Sequence, residues 1–142
     1  MLRVYGNSFG DIPQGARLAK GVIQGGADVV YAAAGMTGVG VLRQAEADKL
    51  FSIGVDSDQY YLAEKSVLTS MLKNVDVGIF GAVQEFVKDG SLKQKNIHLG
   101  LKENGVSLAP LRLSPFTPEE KQVWDRLTEG MPPQFVSTGD EW

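Results

Sequence analysis

The chain has 142 residues, 43% of them hydrophobic and 22% charged, the proportions of one soluble globular domain long enough to bury most of its apolar surface. Fourteen basic and 17 acidic side chains give a net charge of −3 with no basic run, which argues against a nucleic-acid partner held by phosphate neutralisation. Without cysteine there are no disulfides, thiolate metal sites or cysteine nucleophiles, and no apolar run approaches the ~18–20 residues of a membrane helix.

No signal peptide opens the chain. Leu2–Tyr5 reads as a short strand, ended by the turn-rich Gly6-Asn7-Ser8-Phe9-Gly10-Asp11. Pro13 suits the first turn of a helix, which runs to about Gln24 with Ala16, Ala19 and Ile23 inward, and Gly25-Gly26 stops it. Asp28–Ala33 is an apolar run of strand length, suited to a parallel sheet covered on both faces. Gly35-Met36-Thr37-Gly38-Val39-Gly40 leads into a helix to about Lys49, with Val39, Leu42, Ala45 and Ala47 on its apolar side, and strand Phe51–Val55 follows. Residues 2–55 thus read β-α-β-α-β, the pattern of a parallel sheet with right-handed crossovers, and several of the 17 glycines fall where strands meet helices.

Val67–Ser70 is a further strand. Asn74 to about Lys88 is a helix whose apolar surface (Val75, Val77, Ile79, Phe80, Ala82, Val83, Phe86, Val87) is too wide for one solvated face, so burial is expected. Ile97–Leu101 and Val106–Leu108 are expected to pair around Asn104-Gly105, and Thr117-Pro118-Glu119-Glu120 is a capping box opening a last helix to about Glu129. The tail from Pro132 to Trp142 is irregular. No internal repeat or low-complexity segment is present.

Ligands of open α/β sheets sit beyond the carboxyl ends of the strands. That edge carries Asn7-Ser8-Phe9, Gly35 to Gly38, and Asp56 to Asp58. The glycine segment is neither the dinucleotide G-x-G-x-x-G nor a phosphate loop; it admits a ligand close to the backbone or simply makes tight strand–helix turns. Asp56, nearest the strand end, is the sharper candidate, because a carboxylate can accept both vicinal hydroxyls of a ribose. Asp58 fits a cap on the following turn better than a ligand contact. Lys73 ends the next apolar run, and Phe9 spends a large aromatic in a glycine-rich loop, where it either stacks on a base, worth roughly 1–3 kcal/mol, or packs on the core. His98, the single histidine, lies in an apolar stretch and reads as structural. With no second histidine, neither a metal site nor a Ser-His-Asp triad is supported, and no cofactor is implied.

The segments GNSFGD (Gly6–Asp11), GADVVYAAAG (Gly26–Gly35), TGVGVL (Thr37–Leu42), IGVDSDQYY (Ile53–Tyr61) and VLTSMLKNVD (Val67–Asp76) resemble the basic-membrane-protein family, the nucleoside-binding lipoproteins of bacterial ABC importers. The resemblance runs in register over residues 4–87 and more loosely to Leu127. It implies a non-catalytic, type I periplasmic-binding-protein lobe, α/β with a mostly parallel sheet and helices on both faces. In it Asp56 and Lys73 hold the ribose of a purine nucleoside (guanosine, inosine or adenosine), Phe9 stacks on the base, and Gly35 lines the cleft, with Ser8, Thr37 and Asp58 as weaker candidates.

Such receptors are more than twice this length and open with a signal peptide, a lipid-bearing cysteine and a first lobe. The resemblance therefore implies that this chain is the C-terminal half, residues 1–142 forming one α/β domain with a contiguous lobe core over 1–73. It also implies an extracytoplasmic lipoprotein at the cell membrane in the full-length form, and an ABC permease as its partner. Helix 74–90 is then expected to belong to the missing lobe; in the isolated chain it is expected to fold onto its own sheet or to pair with a second copy. Two alternatives use the same residues. Asp56-Ser57-Asp58 is similar to the Asp-x-Asp of magnesium-dependent phosphatases, although Tyr60 replaces their Thr or Val and no later acidic pair follows. A ligand-independent sensor or interaction module would use the apolar helix, through Phe80 and Phe86.

Overall fold

A computed structural model describes residues 1–93, 96–113 and 116–128. The elements in order are α1 (Ile12–Gln24), β1 (Val29–Tyr31), α2 (Met36–Ala47), β2 (Phe51–Asp56), a 3-10 turn (Tyr60–Leu62), β3 (Val67–Lys73), α3 (Val75–Asp89), β4 (Val106–Leu108) and α4 (Pro118–Thr128). The sheet runs β1-β2-β3-β4, with the first three strands parallel and β4 antiparallel to β3.

Local chemistry sets the helix ends. Asp11 caps α1 by accepting the Gln14 amide on Oδ1 at 2.8 Å, and Pro13 occupies the first turn. Gly90, at φ 72°, closes α3 in the left-handed conformation. At α4 the Thr117 hydroxyl accepts the Glu120 amide while Glu120 Oε2 accepts that of Thr117, the reciprocal pair expected there.

Helices α1 and α2 pack on each other, and α2 also packs on β1 and β2. Their crossing depends on glycine. A Cβ on Gly15 would lie 1.9 Å from the Thr37 carbonyl oxygen, and one on Gly40 would lie 2.0 Å from that of Ile12. Two glycines of the Gly35–Gly40 segment, Gly38 and Gly40, are therefore buried inside α2 rather than at the sheet edge. Leu42, Ala63 and Val67 form the core cluster, with Tyr60 and Leu62 against it. Alternation along β3 turns Leu68 to the opposite face, where it shares a pocket with Val123 and Trp124 of α4.

Several expected elements differ. Leu2–Tyr5 is not a strand and pairs with none among the described residues. Ile97–Leu101 is not a strand either, so His98 stands outside the sheet. The Asn104-Gly105 turn does form, with Asn104 at φ 57° and the Gly105 amide donating to the Gly100 carbonyl at 2.8 Å. It does not close a hairpin because β4 meets the open edge of β3 instead, in register Met71↔Leu108 and Lys73↔Val106. Asn74 secures that pairing: its Nδ2 reaches the Asn104 carbonyl, Asn104 Oδ1 and Ser107 Oγ at 2.9–3.0 Å.

The largest departure is α3. None of its residues is buried, and Ile79, Phe80, Val83, Phe86 and Val87 are 55–78% exposed. It does not pack onto its own sheet; among the described residues the segment carrying Ile97 and Leu99 approaches one side, and Lys93 meets Glu85 and Asp89 near its end. The tail 132–142 lies outside the described residues.

Candidate functional site

Parallel pairing of β1, β2 and β3 brings their carboxyl ends to one edge. β1 ends at Tyr31 and leads to Gly35, β2 ends at Asp56, and β3 ends at Lys73. Lys73 Nζ donates to Asp56 Oδ1 at 2.8 Å, and both side chains stay 56% exposed. Asp56 adopts φ 68°, a conformation that Asp tolerates better than most residues and that turns the chain sharply at the strand end. The hydrogen bond to Asp56 holds the Lys73 ammonium above the ordinary lysine value and the carboxylate's charge adds to it, against a lowering by burial, with Tyr31 the least of the contributions.

The second carboxylate goes elsewhere. Asp58 accepts a bidentate pair from Arg112, at 3.1 Å from Nη1 and 2.7 Å from Nη2, and its Oδ1 also accepts the Tyr60 amide at 3.2 Å. Arg112 in turn lies 4.8 Å from the centre of the Tyr60 ring, a cation–π contact.

A separate cluster joins Ser8, Phe9, Gly35 and Thr37. The Thr37 hydroxyl donates to the Ser8 carbonyl at 3.0 Å and accepts the Asp11 amide at 2.9 Å, while its own amide donates to the Phe9 carbonyl at 3.4 Å. Gly35, at φ 54°, lies so close that a Cβ would stand 3.0 Å from the Phe9 carbonyl oxygen. Thr37 is thus the buried pin that holds the loop, leaving the Phe9 side chain 76% exposed at the edge.

Beneath Asp56 is a polar scaffold that the sequence patterns did not mark. Gln59 Oε1 accepts the Val55 amide at 3.0 Å, and Ser70 Oγ accepts the Gln59 amide at 3.0 Å, so the loop after β2 is clamped to both strands. Gly54 makes room for this clamp, since a Cβ there would stand 2.3 Å from Ser70 Oγ. Lower in the strands Ser52 and Ser66, both fully buried, share a 2.8 Å hydroxyl contact, and Ser66 passes its proton on to the Leu50 carbonyl. A recurrence of small polar residues in otherwise apolar strands was the available signal for Ser52, Ser66 and Ser70. Nothing in the local pattern marked Arg112, which lies 54 residues from Asp58. Among the described residues no group of three or more acidic or histidine side chains is gathered for a metal ion.

These features agree with known proteins. The family described as "ABC transporter substrate-binding protein PnrA-like" matches residues 2–129. Basic membrane protein D of Borreliella burgdorferi is 37% identical over 107 residues, covering 73% of this chain and 31% of that protein. An uncharacterized lipoprotein of Pyrococcus abyssi is 38% identical over 112 residues, covering 75% of this chain and 28% of its own length. A solved ABC-transporter solute-binding protein from Aeropyrum pernix K1 superposes with TM-score 0.65 at 28% identity, over 94% of this chain and 37% of that one. A transcriptional activator of the comK gene from Bacillus halodurans gives TM-score 0.72 over 96% of this chain and 46% of that one, at 24% identity, a likeness of fold alone. The chain spans about a third of the length of the curated relatives it matches. With a family match over nearly all of its described length, this α/β chain belongs to the PnrA-like family of ABC transporter substrate-binding proteins.

Proposed function

We propose that this chain is a non-catalytic binding lobe for a purine nucleoside, contributing one wall of a cleft that is completed by a second lobe. The observation that carries the reading is the Asp56–Lys73 pair, half exposed at the carboxyl edge of the sheet. A carboxylate and an ammonium side by side offer acceptors and donors together, the complement of a vicinal diol, whose hydroxyls are each both donor and acceptor. Phe9, exposed at the same edge, supplies a face for the base. Gly35, Ser8 and Thr37 shape and pin that loop rather than contact the sugar. Asp58, engaged by Arg112, holds the turn that presents Tyr60.

In this reading residues 74–90 belong to the other lobe. The complete receptor delivers its nucleoside to an ABC permease from an extracytoplasmic, lipid-anchored position, in keeping with the lipoproteins among its relatives. No feature favours the phosphatase alternative, which needs both carboxylates open to magnesium; Asp56 is paired with Lys73 and Asp58 with Arg112.

Isothermal titration with guanosine, inosine and adenosine tests the proposal. Weak binding is expected from the lobe alone, lost with 2′-deoxyguanosine and with Asp56→Asn. Equal affinity for ribose and deoxyribose forms would refute the diol assignment. Sub-micromolar binding by a monomer would refute the incomplete cleft.

A further inference from the structure

The two arms of the ion pair are held by different scaffolds. Asp56 is fixed through the loop that follows it, where Gln59 and Ser70 clamp β2 to β3. Lys73 is the last residue of β3, and the chain enters α3 at Val75, a helix with no buried residue to steady it. The Lys73 side chain is 56% exposed and reaches Asp56 at 2.8 Å. An ammonium on a flexible four-carbon stem settles where the backbone at its root allows, so the root has to be held.

Asn74 holds it. Its backbone N–H donates to the Gly105 carbonyl at 2.9 Å, directly beyond the ladder pair Lys73↔Val106. Its side chain turns to the same returning segment, with Nδ2 2.9 Å from the Asn104 carbonyl oxygen, 3.0 Å from Asn104 Oδ1 and 3.0 Å from Ser107 Oγ. The Asn104 carbonyl can only accept, which fixes the end of the Asn74 amide that faces it. The anchor is itself rigid. Ser107 is buried opposite Leu72, the Gly105 amide donates to the Gly100 carbonyl at 2.8 Å, and a Cβ on Gly105 would stand 2.4 Å from that of Leu99. The contact set calls for an amide: aspartate would set an acceptor against the Asn104 oxygens, and alanine would leave them to solvent.

We infer that Asn74 is a positioning residue of the candidate site: by pinning the chain that leaves β3 to Asn104 and Ser107, it fixes the root of Lys73 so that the ammonium lands on Asp56. Asn74 does not touch the ligand; it acts through Lys73. The effect on a ligand rests on the nucleoside reading, in which the donor and acceptor must stand together to meet a vicinal diol. The placing of Lys73 on Asp56 does not rest on it.

The test uses the whole chain as Asn74→Ala, Ser107→Ala and the double variant, with Asp56→Asn as reference. Nitrogen-detected NMR follows the titration of the Lys73 ammonium, titration calorimetry the affinity for guanosine, and urea unfolding the stability. Asn74→Ala should lower the Lys73 titration towards the ordinary lysine value, in the direction Asp56→Asn sends it, and weaken guanosine at least fivefold. Ser107→Ala, which leaves the residue beside Lys73 unchanged, should shift both by less, and it decides the matter where Asn74→Ala does not fold. The double variant should be no worse than Asn74→Ala, because the Ser107 contact is already lost there; strict additivity would overturn the shared pin. Lost stability with Lys73 titrating as in the unmodified chain would also overturn the proposal, leaving Asn74 to serve β4 alone. A lowered titration with guanosine affinity unchanged would overturn Asn74 as a residue of the site. Where the unmodified chain binds no guanosine the nucleoside reading falls, and the lysine titration alone supports or overturns the positioning role.

Discussion

Gly54→Ala is the substitution whose cost can be worked most directly from the scaffold under the site. Gly54 sits opposite Ser70 in the β2–β3 pairing. The added methyl would stand 2.3 Å from Ser70 Oγ, 2.9 Å from Gln59 Cβ and 3.0 Å from Ser70 Cβ. Ser70 is fully buried and its hydroxyl accepts the Gln59 amide, so it cannot swing aside without leaving that amide unpaired. Overpacking of this kind costs about 1–3 kcal/mol, and the orphaned amide adds about 1–2, for roughly 2–5 kcal/mol together. Ser70→Ala alone keeps the space but loses the acceptor, at about 1–2 kcal/mol. In the double variant the 2.3 Å clash is gone while the Cβ contacts remain. The two changes should therefore fall short of additivity by about 1–2 kcal/mol, the signature of groups in contact. Urea unfolding of the four proteins measures the cycle. Because the clamp also sets where Asp56 emerges, guanosine affinity should fall in Gly54→Ala and recover in part in the double variant. A loss of stability under about 0.5 kcal/mol for Gly54→Ala, or strict additivity, would refute the reasoning.

Gly15→Ala and Gly40→Ala each drive a methyl into a backbone carbonyl across the α1–α2 crossing and should cost more than about 3 kcal/mol, whereas Gly21→Ala and Gly81→Ala, which meet nothing within 4 Å, should stabilise their helices by about 0.5–1 kcal/mol; thermal unfolding followed by circular dichroism separates the pairs. Asp58→Asn breaks the Arg112 pair and should lower stability by about 1 kcal/mol while sparing nucleoside binding, the reverse of Asp56→Asn, as read by urea unfolding beside titration calorimetry. Lys73 should titrate above an ordinary lysine, and Asp56→Asn should bring it down; since its folded value is the raised one, whatever the pair contributes is present below the unfolded lysine value and is lost as pH rises through the folded one, which nitrogen-detected NMR of the ammonium follows. The exposed stripe of α3 carries Asp76 in its first turn and Lys88 in its last, so two copies laid antiparallel would match opposite charges; light scattering should show association that Phe80→Ser with Phe86→Ser abolishes, and a clean monomer of the unmodified chain would count against it.

What could be read from the residues and what could not divide along the range of the interactions. Asp11 with Pro13, and Thr117 with Glu120, are local chemistry within one turn, and both caps form as expected. The apolar runs at β1 and β2 likewise form strands, but the expected cover on both faces fails at β1, where Val30 is buried and Val29 and Tyr31 are 41% and 53% exposed. Leu2–Tyr5 has the same composition and yet forms no ladder, since strandedness requires a neighbour and composition does not supply one. The Asn104-Gly105 turn forms, but its outgoing strand finds β3 rather than Ile97–Leu101. At the site, Asp56 and Lys73 could be matched because each ends a strand and parallel strands end together. Arg112 could not, because nothing in a sequence states which distant cation a carboxylate will meet. The glycines after β1 were open between ligand and turn; Gly40 is spent on a helix crossing, which depends on the partner helix as much as on its own.

The uncovered α3 stripe begins directly after Lys73 and Asn74 and so bears on the site. An ion pair as open to water as Asp56–Lys73 is strongly screened, and its hydrogen bonds to a ligand compete with hydrogen bonds to solvent. Moving the same groups from bulk water to a protein-bounded surface of effective dielectric ~20 strengthens their field roughly fourfold. In the proposed nucleoside site a diol between Asp56 and Lys73 would therefore gain little until a second wall excludes water, and a base on Phe9 would gain little until its other face is covered. The apolar surface that this chain leaves bare is what a covering body would bury. On the proposed reading recognition and closure are coupled: the polar residues at the sheet edge would choose the ligand, while the bare apolar surface would supply the association that makes that choice count.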